Sequence, residues 1–584
     1  MKMDTILRAP VSGTIESLHV RKGSLLANPG DSVAWIRPAS ASEADQRSRQ
    51  GKSAALEEHE AELARARKLR DEILRARDIA AEMGGPDNVK RHHERGRLTI
   101  RERIDGMLDA SSFREMGRAA PGNFVVGTGR VQERPVVVGG EDFTISGGSP
   151  TFAGLRKSVY VETLALQLRV PLIRLHEGGG GSVAGAGGKD SSDDKNGNGL
   201  PKPQGDAVYN RPRFESVRKV LDTVPVACAA LGPVAGLPAS RLVASHFSVM
   251  TENAQVLIAG PQVVQRALGY ETTKEKLGGP EVHLASGVVD NLASSEEDAF
   301  AQISRFLSYL PTCVGEVPPV DNTGADPRDR QDEELLTAVS SLHRRQVYDV
   351  RQDIMERVVD RGSLFEMTPH FGPGIVTALA RIAGKPVGII ANDCKFHGGA
   401  MTADGARKTK RFMETCEQFS LPIVFFVDEP GFMIGEEAER QATIRAGTEA
   451  VLTGASLSVP SASVVIRKAY GVAGAAHFGP EGRTFIWPSA EVGALPVESG
   501  VAVAFKRMLD AIEDNEEREA RRKELEDQFS ARLSPMSRAV GFAAHDIIVP
   551  TETRPVLADW LDLAWPLVER NVAAKKARSL LSSL

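Results

Sequence analysis

The sequence predicts a tandem α/β protein in which two copies of one unit each form a parallel sheet covered by helices. Three observations carry this. RPVVVGGEDFTISGGSP (134–150) aligns without a gap on KPVGIIANDCKFHGGAM (385–401). Gly147 and Gly148 thus correspond to Gly398 and Gly399, Pro171 to Pro422 and Glu177 to Asp428, always 251 residues on, and a shared offset at this scale marks duplication. Each copy then reads strand, Gly-Gly turn, helix (156–168; 405–419) and an apolar strand closed by an acid, VPLIRLHE or LPIVFFVDE. A further apolar strand follows in both, VPVACAALGPVAG and VPSASVVIRKAYG, and such alternation of strands with helices means parallel sheets.

Ahead of the repeat, 5–36 reads as short strands (TILRAP, GTIESLHV, SVAWI) punctuated by Gly13, Gly23 and Gly30. A polar linker begins at Pro38. Residues 43–83 hold few turn formers, and Leu56, Leu63, Leu69, Ile73 and Ile79 suggest a long amphipathic helix, stopped by GGP at 84–86. The basic stretch KRHHERGRLTIRER (90–103) has two readings: a phosphate contact, or a solvated helix face. Within the first copy, 178–206 is too polar and glycine-rich to pack and reads as a loop, either a substrate lid or a surface insertion. It is no P-loop: Val183 stands where the first glycine belongs, and Asp190 follows Lys189 where Ser or Thr is needed.

With 584 residues, 41% hydrophobic and 26% charged, the chain has the length and composition of a multidomain globular protein. A net charge of −5 gives no reason to expect a nucleic-acid partner. No apolar stretch is long enough to cross a bilayer. The four scattered cysteines form no C-x-x-C pair and read as free thiols of a reducing compartment, so a cytoplasmic location and no metal site are expected.

Chemistry points to the turns after the two late strands, around Gly236-Leu237 and Gly471-Val472-Ala473. Small residues there can free backbone N–H groups at a helix start to hold an oxyanion. The alternative is that glycine and alanine only allow close helix–strand packing. His397, Asp428 and Glu429 read as turn and capping residues, and Trp487 as core. Arg467 and Lys468 would line a cofactor channel or pair with carboxylates.

HHERGRLTIRERID (92–105), GGAMTADGARKTKRFMETCEQFSLPIVFFVDEPGFMIG (398–435), IRKAYGVAGAA (466–476) and IWPSAEVGAL (486–495) resemble the carboxyltransferase subunits of biotin-dependent acyl-CoA carboxylases. The likeness runs over nearly all of 85–565. It implies two crotonase-like domains, each with a backbone oxyanion hole: acyl-CoA on the first and biotin on the second, in a dimer-built hexamer. By this resemblance Gly236 and Leu237 would hold the thioester oxygen, and Val472 and Ala473 the ureido oxygen of biotin. Gly471, Arg467 and Lys468 would lie on the cofactor side, and Gly147, Gly148, Gly398 and Gly399 would line the substrate sites. The carboxyl group would pass from carboxybiotin to the acyl α-carbon. The family usually has Gly-Gly-Ala at both holes, so Leu237 and Val472 are expected to crowd them and to restrict φ.

Met1-Lys2-Met3, Ala9-Pro-Val-Ser-Gly-Thr and Val20-Arg-Lys-Gly resemble the carboxy-terminal half of a biotinyl carrier domain, with Lys2 at the position that becomes biotinylated. Half a barrel exposes strand edges. Three readings follow: the chain begins inside a longer single-chain carboxylase, two half-domains associate, or the piece is vestigial; the first is favoured. Lys2 would carry biotin only if the carrier fold is completed. The expected organisation is 1–38 partial biotinyl segment, 39–84 helical linker, 85–330 first carboxyltransferase domain and 331–584 the second. A biotin carboxylase and a carrier are the expected partners. The alternatives are a biotin-independent acyl-CoA decarboxylase or hydrolase, and a non-catalytic paralogue that assembles with an active subunit.

Overall fold

The computed structural model describes residues 13–19, 32–38, 40–120, 122–181, 212–321, 323, 326–339, 346–532 and 535–582. Lys2 and most of the glycine-rich segment 178–206 lie outside the described residues. The chain divides into two compact units, Met1–Ala81 and Glu82–Leu584.

In the first unit, β1 (Gly13–Leu18) pairs antiparallel with β2 (Ala34–Pro38) through a bulge between Ile15 and Ser17. Ile15, Leu18 and Trp35 are all more than half exposed. A helix then runs over Ala41–Ala81. Its apolar residues Leu56, Leu63, Leu69, Ile73 and Ile79 are exposed rather than gathered on one buried face. Their spacing explains why: Leu56 and Leu63 share a side, whereas Leu69 and Ile73 lie roughly 100° around the helix.

The second unit holds two sheets of the same design. One contains β3 (Arg114–Glu115), β4 (Phe124–Val131), β5 (Arg134–Glu141), β6 (Leu172–Gly178), β7 (Val226–Ala235), β8 (Phe247–Thr251), β9 (Gln255–Leu257) and β10 (Asn291–Ala293). The other contains β11 (Phe365–Met367), β12 (Ile375–Ile382), β13 (Lys385–Asn392), β14 (Ile423–Glu429), β15 (Ser461–Tyr470), β16 (Arg483–Ile486), β17 (Glu491–Gly493) and β18 (Asp546–Ile547). Their orders are β10-β8-β7-β6-β5-β4-β3 with β9 beside β7, and β11-β12-β13-β14-β15-β16-β18 with β17 beside β15. In each sheet the strands from the third onward are parallel, and an antiparallel hairpin (β4–β5, β12–β13) leads in. Both faces are covered, so β6 and β14 are buried at every residue, as parallel strands require.

The duplication extends to backbone detail. Left-handed φ recurs at the 251-residue offset, at Ser111 and Gly362, Gly117 and Thr368, Gln132 and Ala383, Ser146 and His397, and Arg169 and Ser420. Asp109 accepts from the N–H groups of Gln132 and Glu133, and Asp360 accepts from those of Ala383 and Gly384, so one carboxylate closes each hairpin. Thr151 and Thr402 cap the helices Phe152–Leu168 and Ala403–Phe419 through the N–H groups of Gly154 and Gly405.

The two sheets share one hydrophobic core, in which Phe247 stacks on Phe306 at 5.0 Å and meets Phe365 edge-on at 5.5 Å. All four cysteines are free and buried; burial pushes the Cys228 thiol up to about 12. Among the described residues no helix is long and apolar enough to cross a membrane, and no group of acids, histidines or cysteines could hold a metal.

Between the halves lies a cavity of about 120 Å³ lined by His246, Asp290, Thr368, Lys408 and Arg411, among others. The buried Lys408 ammonium donates to the Ile375 carbonyl at 2.7 Å, and burial lowers its pKa to about 7. The unfolded chain, with lysine near its ordinary 10.5, binds more protons between these values, so this residue makes stability rise with pH across that window. Urea unfolding of wild type against Lys408→Met should therefore show wild type gaining, relative to the variant, from pH 7 to 9.5; a flat or opposite trend refutes the assignment.

Candidate functional site

Each sheet presents the carboxyl ends of its parallel strands on one side, where open α/β sheets place ligands. In the first half the penultimate residue of β6 is Glu177, which is fully buried. Its carboxylate pairs with Arg97 at 2.9 Å and Arg103 at 2.6 Å, and His92 lies 3.4 Å away. Arg103 also grips Glu296 at 2.7 Å. The basic stretch 90–103 thus turns three of its groups inward onto this acid, a long-range pairing that neither sequence reading contained. Gly232 is required opposite, because a Cβ there would stand 2.5 Å from the Glu177 carboxylate.

In the second half the corresponding acid, Asp428, is likewise fully buried. It accepts from Arg467 at 2.7 Å, from the Tyr348 hydroxyl at 2.8 Å and from the Lys468 N–H at 3.1 Å. The Arg467 guanidinium also donates to the Gln346 carbonyl and lies over the Tyr348 ring. Burial opposes its charge, but the hydrogen bonds and charge of Asp428 outweigh that and raise its pKa. Of the two basic residues expected beside a cofactor, Arg467 is therefore committed to the strand end. Lys468 is half-buried.

The Gly-Gly turns sit against these strand ends. A Cβ on Gly148 would come 2.5 Å from the Gly178 Cα, and one on Gly399 would come 2.8 Å from the Asp428 carbonyl. Gly147 and Gly398, at φ 62° and 66°, face open space. The second glycine of each pair serves packing, and the first leaves room beside it.

The two proposed donor turns also correspond. β7 runs into Gly236 (φ 65°) and the helix Leu237–Val243; β15 runs into Gly471 (φ 63°) and the short helix Gly471–Gly474. Glycine takes the left-handed position in both, so Leu237 and Val472 carry no φ strain, and the Val472 side chain is 62% exposed rather than filling the turn. First-turn N–H groups have no acceptor inside their own helix, and those of Leu237, Val472 and Ala473 stand at such positions. Gly236 departs from expectation: its N–H donates to the Leu257 carbonyl at 3.3 Å, because β9 pairs alongside β7 and extends the ladder to it. In its place the structure brings up Gly180, whose Cα lies 3.0 Å from the position of a Gly236 Cβ. The run of glycines after Glu177 was the sequence signal for this approach.

Beside the end of β15, where Glu429 pairs with Ala469, Gly431 (φ 127°) follows β14, and Phe432 forms a parallel bridge with Met401. The fully buried carboxylate of Glu429 accepts from the N–H groups of Gly431 and Met401. Trp487 is core, with its indole N–H on Thr553.

The chain is a duplicated α/β protein with a glycine-led turn at the strand ends of each half. The chain matches the family described as the carboxyl transferase domain over residues 91–580 and belongs to it. It is 31% identical over 506 residues to the carboxyltransferase subunit of propionyl-CoA carboxylase from Haloferax mediterranei, covering 83% of this chain and 93% of that protein. It is 30% identical to the alpha subunit of methylmalonyl-CoA decarboxylase from Veillonella parvula, covering 82% and 92%. Among solved structures, transcarboxylase 12S, a hexamer with methylmalonyl-coenzyme A and methylmalonic acid bound, superposes with a TM-score of 0.74 at 28% identity, covering 86% of this chain and 96% of that one. A single-chain, multi-domain long-chain acyl-CoA carboxylase superposes with a TM-score of 0.72 at 27% identity, covering 85% of this chain and 50% of that one.

Arg467→Met leaves Asp428 buried without its cation and should cost about 3–5 kcal/mol in urea unfolding, whereas Lys468→Met should cost below about 1 kcal/mol. Equal small effects would return Arg467 to the ligand side.

Proposed function

We propose that the protein transfers a carboxyl group between carboxybiotin and the α-carbon of an acyl-CoA thioester. The observation that carries this is the pair of related glycine-led turns in a chain of the carboxyl transferase family. The first turn, with the Leu237 N–H and the neighbouring Gly180 backbone, is the acyl-CoA side. The second turn, with the N–H groups of Val472 and Ala473, is the biotin side.

The residues present fit the ureido group of biotin. The second turn offers N–H donors without a bulky side chain over them, since Gly471, Ala473 and Gly431 are small and Val472 points outward. Bound carboxybiotin supplies the carboxyl group. This chain's own part is to hold developing negative charge on oxygen with fixed dipoles, where each donor is worth about 2.7–4 kcal/mol, and to keep two bound groups in register. Acyl-CoA, a biotin carboxylase and a biotin carrier are the implied partners, and a homo-oligomer built like the transcarboxylase hexamer is the implied assembly.

The test is ATP-free decarboxylation of malonyl-CoA or methylmalonyl-CoA with free biotin added. Turnover should depend on biotin; activity indifferent to biotin and avidin would instead favour a biotin-independent decarboxylase. Leu237→Pro removes one donor at a helix position that tolerates proline and should lower kcat about 10²–10³-fold with the fold intact by circular dichroism.

A further inference from the structure

Among the differences between the two halves behind their turns is the last residue of β6 and of β14. The position of Gly178 at the end of β6 is taken in β14 by Glu429, 251 residues on. Gly178 leaves no room for a side chain of that size: a Cβ there would stand 3.1 Å from the Gly148 carbonyl and 3.2 Å from the Glu141 side chain. At Glu429 a whole carboxylate is enclosed, and four donors converge on it. Oε1 accepts from the Gly431 N–H at 2.9 Å and the Met401 N–H at 3.3 Å. Oε2 accepts from the Asn392 amide at 3.0 Å and lies 3.2 Å from His477 Nε2. A carboxylate only accepts, so Nε2 carries the proton in this contact.

These donors belong to four different segments. Asn392 ends β13, Met401 follows the Gly398-Gly399 turn, and Gly431 lies just past the end of β14. His477 closes the helical turn that begins at Gly471, and its carbonyl is held in turn by the Ser463 hydroxyl of β15 at 2.6 Å. His477 and Glu429 are both fully buried, so neither touches a ligand.

We propose that Glu429, acting through His477 and Gly431, is the positioning residue of the second donor turn. It ties the helical turn that carries the Val472–Ala473 N–H groups to the chain leaving β14 at Gly431. The assignment of that turn to biotin rests on the function proposed above; the positioning itself rests on the four contacts. In Glu429→Gln the amide nitrogen would face the Asn392 amide donor, where the carboxylate offers an acceptor.

The experiment compares the full chain with Glu429→Gln, His477→Met and the double variant. Each single change should lower kcat for biotin-dependent malonyl-CoA decarboxylation at least about tenfold, and the double change should cost no more than the worse single one. The KM for malonyl-CoA should stay within about twofold, since the acyl-CoA side is built from the other half. Hydrogen exchange should accelerate at 431–435 and 471–477 but not at 237–243. Wild-type kcat in a folded variant, a malonyl-CoA KM that rises with the loss of kcat, or unchanged exchange at 471–477 overturns the proposal. If Glu429→Gln does not fold, His477→Met decides by the same readouts. If wild type shows no biotin-dependent turnover, the function proposed above fails alone, and the exchange measurement still decides whether Glu429 holds the turn.

Discussion

Two buried carboxylates, Glu177 and Asp428, anchor the ends of the strands around which the rest of the second unit is arranged. Taken out of water, each is tolerable only because guanidinium groups and hydrogen-bond donors meet it. Their pairing holds the last residues of β6 and β14 at fixed depth. Neighbouring backbone then crowds the positions of Gly148 and Gly399, and the Glu177 side chain crowds that of Gly232. The donor turns after β7 and β15 inherit their place from this packing. Under the proposed function the site is set by strand ends, and its polar working groups are main-chain.

This division of labour accounts for what could be read from the sequence. The duplication was visible because glycines needed for left-handed φ or close approach cannot drift, so Gly147, Gly148, Gly398 and Gly399 survive in register. The parallel sheets were visible because strands buried on both faces read as unbroken apolar runs. Helix positions followed from breakers and caps. The long amino-terminal helix was legible as a helix, but its scattered leucines and isoleucines did not make one buried face.

What the sequence hid is what depends on distant pairing. Nothing near Arg97 or Arg103 announces that they close on Glu177, and nothing near Gly236 reveals that β9 takes its N–H. Sequence alone leaves Arg467 between ligand and scaffold; its guanidinium on Asp428 makes it scaffold. Glu429 and His477 are separated by 48 residues, and each alone reads as an ordinary strand-end acid and loop histidine. Local pattern encodes conformation well and encodes contacts poorly.

The shared core of the two halves bears on how the chain is made. Phe247 and Phe306 of the first half complete their packing with Phe365 of the second. During synthesis the first half leaves the ribosome with that surface still waiting for a partner dozens of residues away. Carrying both halves in one chain makes their meeting intramolecular, and leaves a nascent interval in which the apolar seam stands open to aggregation or chaperone capture.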